Sequence, residues 1–204
     1  MKNSKQYQWQ LKDIIMVAIL SLFFALIYLG ALYLITPIRA LLAPFGLAEY
    51  TLNIVYGVWF MAATLAVYIM RKPGVAFVTE TLAALLELLM GNIFGPLVFI
   101  SGIVQGLGAE AVFAAFRYKR YDMLTMCLAS LACTVTSFSW NFYSLGYIRL
   151  APGLLVSFFL VRAVSSVLFA GVFMKVCGDS LAKTGILKSY PLGAAVSIPA
   201  ADKE

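Results

Sequence analysis

The 204-residue sequence contains no histidine. That absence removes Ser-His-Asp triads, Cys-His dyads and imidazole-ligated metal sites together. Cysteine is scarce: Cys127, Cys133 and Cys177 form no Cys-x-x-Cys pair and lie in apolar runs, where buried structural thiols are expected. No Gly-x-x-x-x-Gly-Lys-Ser/Thr run occurs, so the chain has no P-loop for ATP hydrolysis. Charge is sparse too. Asp, Glu, Lys and Arg make up 12% of the residues, against about 25% in a typical soluble domain.

What fills the sequence instead is apolar. AVILMFWYC residues account for 63% of the chain and mean hydropathy is +0.94. This excludes an ordinary soluble domain and a disordered chain. The expected class is all-α: a small polytopic membrane protein of six transmembrane helices in a single domain over residues 1–204. The six apolar segments run over 13–35, 49–70, 74–90, 96–116, 123–142 and 152–176. Each approaches the ~20 residues needed to cross ~30 Å of hydrocarbon. Pro and Gly punctuate them, as at Thr36-Pro37, Arg71-Lys72-Pro73-Gly74 and Ala151-Pro152-Gly153.

The 15 Lys and Arg exceed the 9 Asp and Glu. They sit in short connections, so they orient the chain and point to no nucleic-acid partner. Lys2, Lys5, Lys12, Arg71, Lys72, Arg117, Lys119, Arg120, Lys175, Lys183, Lys188 and Lys203 fall on one side, and only Arg39 and Arg149 on the other. By the positive-inside rule both termini are expected in the cytoplasm. The tail over 177–204 reads as a loose cytoplasmic end.

Ionisable groups inside the apolar segments need a partner, a cavity or a function. Glu80 and Glu87 stand seven apart and share a helix face. Glu87 falls roughly 5 Å inside the outer end of its span, and Glu80 and Glu110 roughly 9 Å from the inner end. Arg162 falls about 15 Å below Pro152, near the midplane. Arg162 is expected to pair with Glu80 or Glu110 in a buried charge network. Glu87 has no assured basic neighbour and can receive a cation or amine from outside.

Other polar and aromatic residues converge on the same outer half. Glu49, Asn53 and Tyr56 recur at i, i+4, i+7. Ser101 and Gln105 share a face, and Ser137, Trp140, Asn141 and Tyr143 end the fifth span. An interfacial aromatic belt also accounts for the rings. Taken jointly, the residues suit a small, flat, cationic or amine-bearing heterocycle. Gly102-x-x-x-Gly106, Ala62-x-x-x-Ala66, Ser21-x-x-x-Ala25 and Ala111-x-x-x-Ala115 let helices approach closely, inside the bundle or at a partner.

The run from Glu80 through Glu87, Gly91-Asn92, Gly95-Pro96 and Gln105-Gly-Leu-Gly-Ala-Glu110 to Phe116-Arg117-Tyr118 resembles YkoE-type proteins. These are substrate-binding S components of energy-coupling factor (ECF) vitamin transporters. The resemblance implies thiamin, or its hydroxymethylpyrimidine precursor or another vitamin, as substrate. It implies a transmembrane coupling subunit and two cytoplasmic ATPases as partners, in a prokaryotic plasma membrane. It implies no catalysis and no cofactor. It also implies an outer lid loop, here 36–48, and a small-residue docking patch on the first helix, here Ala18, Ser21 and Ala25.

Together these readings nominate Glu87, Asn92, Gln105, Trp140, Asn141 and Tyr143 around the ligand, with Glu49, Asn53 and Tyr56 behind them. Two rivals remain open. An intramembrane enzyme would use Glu80, Glu87 or Glu110 as acid–base groups, against which the missing histidine weighs. A membrane scaffold would bury charges only to pair them.

Overall fold

A computed structural model describes residues 8–197. It is all-helical, with no strand among the described residues. Helix α1 spans Leu11–Leu42. Two single turns, Ala43–Phe45 and Ala48–Tyr50, lead into α2, Thr51–Val55. A 3₁₀ stretch, Tyr56–Phe60, separates α2 from α3, Met61–Met70. Then follow α4 (Val75–Leu89), α5 (Leu97–Ala115), α6 (Met123–Ser144) and α7 (Pro152–Ser166). A π-helical stretch, Val167–Phe173, joins α7 to α8 (Met174–Lys183), and α9 covers Pro191–Ser197.

Among the described residues, five helical rods are long and apolar enough to cross a membrane: Leu11–Phe45, Ala48–Met70, Leu97–Ala115, Met123–Ser144 and Pro152–Lys183. The sixth expected span is α4, whose 15 residues rise only about 22 Å. At 15 residues it is too short to stand with those five.

Every residue of α3 is buried, which makes it the axis of the bundle. In lipid no water drives helices together, so close packing and interhelical hydrogen bonds must do so. Small residues provide the approach. A Cβ on Gly102 would lie 2.3 Å from Ala84 Cβ, and one on Gly106 3.0 Å from the Phe77 backbone. The Gly102/Gly106 pair therefore packs α5 on α4, inside the bundle. Ala62 and Ala66 are likewise buried, whereas Ala111 and Ala115 are exposed. Thr134 Oγ1 donates to Ser166 Oγ at 2.7 Å, tying α6 to α7.

The 3₁₀ break in the second rod leaves backbone groups that lipid cannot satisfy. Side chains take them up. Ser165 Oγ donates to Ile54 O at 2.7 Å and accepts from Gly57 N at 3.0 Å. Tyr28 Oη accepts from Ala62 N, and Glu80 Oε2 from Ala63 N, both at 3.0 Å. At the far end of α4, Glu110 does the same service, accepting from Gly74 N (2.6 Å), Ala76 N (3.0 Å) and Phe77 N (3.3 Å). Asp122 caps α6, accepting from the amide and hydroxyl of Thr125. Those bonds and the Arg120 guanidinium hold its carboxyl below the usual carboxylate range.

Two sequence expectations change here. The segment 36–48 is not a loop up to residue 42, because α1 continues through Pro37. Pro37 forfeits one helical bond, to the carbonyl of the exposed Tyr33, and the chain turns only at Ala43–Phe45 and Gly46 (φ 71°). The tail is not loose over its described part. The last rod extends to Lys183, and Leu187, Tyr190 and Leu192 are buried against the bundle. Residues 198–204 lie outside the described residues.

Candidate functional site

A cleft of about 670 Å³, counting its open mouth, lies between the broken rod, α4, α5 and α6. Tyr56 and Trp59 come from the 3₁₀ stretch, Glu80 and Glu87 from α4, Ser101 and Gln105 from α5, and Trp140, Asn141 and Ser144 from α6. Asn92 and Phe94, in the α4–α5 connection, complete the rim. The seven-residue spacing of the two carboxylates puts both on this wall, about 10 Å apart along the helix axis.

Glu87 is fully buried. Its Oε1 accepts from Trp59 Nε1 at 3.1 Å and from Asn92 Nδ2 at 2.5 Å. Its Oε2 has no hydrogen-bond partner. A buried carboxylate oxygen without a donor is costly, and here it belongs to a residue lining an open cleft. Gln105 Nε2 donates to Ser101 Oγ at 2.7 Å across one turn of α5. Glu80 forms the floor, where both its oxygens accept from Tyr28 Oη at 3.0–3.2 Å. The rings of Tyr28 and Tyr56 flank Trp59, with centroids 6.3 and 5.9 Å away.

Arg162 lies behind this wall. It is fully buried, yet among the described residues it makes no ion pair. Its Nε and Nη2 donate to Asn53 Oδ1 at 2.9 and 2.7 Å, and Nη2 also to Tyr147 Oη at 3.2 Å. With the Asn141 amide oriented to satisfy its neighbours, Oδ1 of Asn141 accepts from Nη2 and Nη1 at 2.9 and 3.0 Å. The guanidinium sits 3.6 Å from the Tyr56 ring centroid, a cation–π contact out of water.

Of the nine expected ligand residues, Glu87, Asn92, Gln105, Trp140, Asn141 and Tyr56 line the cleft. Three do not. Tyr143 is 82% exposed and points outward. Glu49 pairs with Arg39 at 2.6 Å on the surface, because the turn at Ala48–Tyr50 breaks the helical stripe it was read from. Asn53 is spent on Arg162. The expected network of Glu80, Glu110 and Arg162 is corrected: three separate sites hold them, each meeting backbone or neutral polar groups. The expected docking patch also changes. Ser21 and Ala25 are buried, and Ser21 Oγ donates to Thr79 O at 3.0 Å. Of the three only Ala18 is exposed, because the other two face α4. Trp59 was missed. It stands three residues after Tyr56, and in a 3₁₀ turn i and i+3 eclipse.

Comparisons with known proteins place the chain in a family. The family described as "ABC-type cobalt transport system, permease component" matches residues 12–136. The putative HMP/thiamine permease protein YkoE of Bacillus subtilis (strain 168) is 42% identical over 91% of this chain and 90% of its own. A crystal structure of an S-component of an ECF transporter superposes with a TM-score of 0.84 at 40% identity, covering 93% of both chains. With its helical rods, its cleft and this extent of identity, the chain belongs to the YkoE-type family of ECF transporter S components.

Proposed function

We propose that this chain is the substrate-binding subunit of an ECF-type importer that captures thiamin from outside the cell. In this reading it crosses a prokaryotic plasma membrane six times, α4 included, with both termini in the cytoplasm. It passes its ligand inward with a transmembrane coupling subunit and two ATPases, and does no chemistry itself. The observation that carries the reading is the free Oε2 of Glu87 in an aromatic cleft. A thiazolium cation is drawn to a carboxylate and to ring faces. An aminopyrimidine offers N–H donors to the carboxylate and flat faces to Trp59 and Trp140. The name of the Bacillus relative supports this substrate class.

Hydroxymethylpyrimidine is the second reading, supported by the same name. It shares the ring and amine but has no fixed cation. A metal-ion substrate fits less well. Among the described residues no three His, Cys, Asp or Glu side chains gather, and the cleft presents mainly rings and amides.

The test is titration of purified protein and Glu87→Gln with each compound, read by Trp fluorescence. Thiamin affinity is expected to fall at least about tenfold in the variant, as for loss of a charge-assisted contact. Unchanged affinity would remove Glu87 from the site. Tight binding of the pyrimidine, with thiamin ignored, would change the substrate and keep the transporter class.

A further inference from the structure

A second, open cleft, of about 660 Å³ counting the solvent at its mouth, lies at the opposite end of α4 from Asn92, beside the start of α1. Gln10, Lys12, Asp13, Lys72, Lys188 and Tyr190 are among the residues lining it. The substrate reading does not use it. Asp13 is 1% exposed. Its Oδ2 accepts from Lys72 Nζ and from Gln10 N, at 2.5 and 2.7 Å. Its Oδ1 is buried with no partner. Lys12 Nζ donates to Ser189 O at 2.8 Å and lies 5.6 Å from the Tyr190 ring centroid. The exposed Lys188 is a further cation on the rim.

These groups make two unlike demands. Three lysines against one aspartate leave the cleft an excess of positive charge, which attracts an anion. The unpartnered Asp13 Oδ1 needs an N–H or O–H donor. One ligand meeting both carries a phosphate and a primary ammonium. Leu11, Ile14 and Ile15, on the adjoining first turns of α1, are 73%, 55% and 50% exposed. They are exposed apolar side chains next in sequence to the cleft residues Gln10, Lys12 and Asp13, suited to acyl chains.

We propose that this cleft binds the phosphoethanolamine headgroup of a membrane phospholipid, with the ammonium at Asp13 Oδ1 and the phosphate at Lys188 and Lys12. The acyl chains then lie along α1, holding the end of that helix at the level of the headgroups.

Native mass spectrometry of the delipidated full chain tests this. The probes are phosphatidylethanolamine, phosphatidylcholine, phosphatidylglycerol, free phosphoethanolamine and inorganic phosphate. Retention of the ethanolamine lipid about tenfold above the choline lipid is expected, since a trimethylated nitrogen cannot donate. Lys188→Gln, at an exposed side chain, is expected to lower that retention while leaving substrate titration unchanged. Asp13→Asn is expected to erase the preference between the two lipids. Free phosphoethanolamine binding as tightly as the lipid would keep the headgroup chemistry and assign a soluble source. Equal retention of ethanolamine and choline lipids, binding of inorganic phosphate alone, or an unaffected Lys188→Gln variant would overturn the proposal.

Discussion

Arg162 stacks its guanidinium on Tyr56, 3.6 Å from the ring centroid, so a buried cation backs one wall of the cleft. The same guanidinium binds Asn53 and Asn141 from two other helices. Arg162 is therefore a clasp that holds the broken rod, α6 and α7 in register behind the ligand. Replacing it with Met is expected to cost roughly 1–3 kcal/mol for each buried amide oxygen left unpaired. Thermal unfolding in detergent should show a large drop in midpoint. An unchanged midpoint would mean the guanidinium carries no structural load. Arg162→Lys should be intermediate, because an ammonium cannot reproduce the planar fork.

Trp59 contributes both a ring and an N–H to Glu87. Trp59→Phe keeps an aromatic ring, though a smaller one, and removes the donor. Substrate affinity is expected to fall by roughly 10- to 100-fold if the whole worth of one hydrogen bond to a charged group is lost. Calorimetric titration measures it without relying on tryptophan signal. An effect as large as that of Trp59→Ala would show that the N–H matters more than the ring.

Trp140 and Tyr143 are three residues apart on α6, with ring centroids 5.8 Å from each other. Only Trp140 lines the cleft. Trp140→Ala should weaken binding by about 1–3 kcal/mol, as for loss of an aromatic platform. Tyr143→Ala and Glu49→Gln should leave affinity within a factor of two or so, as surface changes usually do. A strong effect at Tyr143 would place the ligand nearer the mouth than the cleft does.

Gly57 and Gly153 give opposite expectations for the same substitution. A Cβ at Gly57 would stand 2.4 Å from the backbone oxygen of Ser165, which cannot move cheaply. Gly57→Ala is expected to destabilise by about 1–3 kcal/mol and to disturb the Tyr56–Trp59 turn. Gly153 has nothing within 4 Å of that position, and Gly153→Ala should be neutral or slightly stabilising. Detergent melting curves of the two variants side by side decide it. Equal behaviour would contradict the close contact between the 3₁₀ stretch and α7.

The all-helical membrane class was legible in the sequence, because spanning a bilayer demands long apolar runs and leaves polar residues conspicuous. Glu87, Gln105 and Trp140 could be nominated for that reason. The fate of the other polar residues was not legible. Asn53 and Asn141 are the same residue type on neighbouring apolar spans, yet Asn53 is enclosed behind the wall and Asn141 also faces the cleft. Arg162 offered itself as a partner for Glu80 or Glu110, but its rotation about α7 aims it at amides and rings. Such choices depend on how helices are turned relative to one another, a property of packing between segments distant in sequence. Periodicity also fails where helices break. The turns at Ala48–Tyr50 and Tyr56–Phe60 shift every later residue around the axis, which moved Glu49 to the surface and brought Trp59 to Glu87. The sequence by itself determined which segments seek the membrane, since transfer free energy is local to each residue. Only the tertiary structure decided which buried groups meet, because that depends on the rotation and close approach of whole helices.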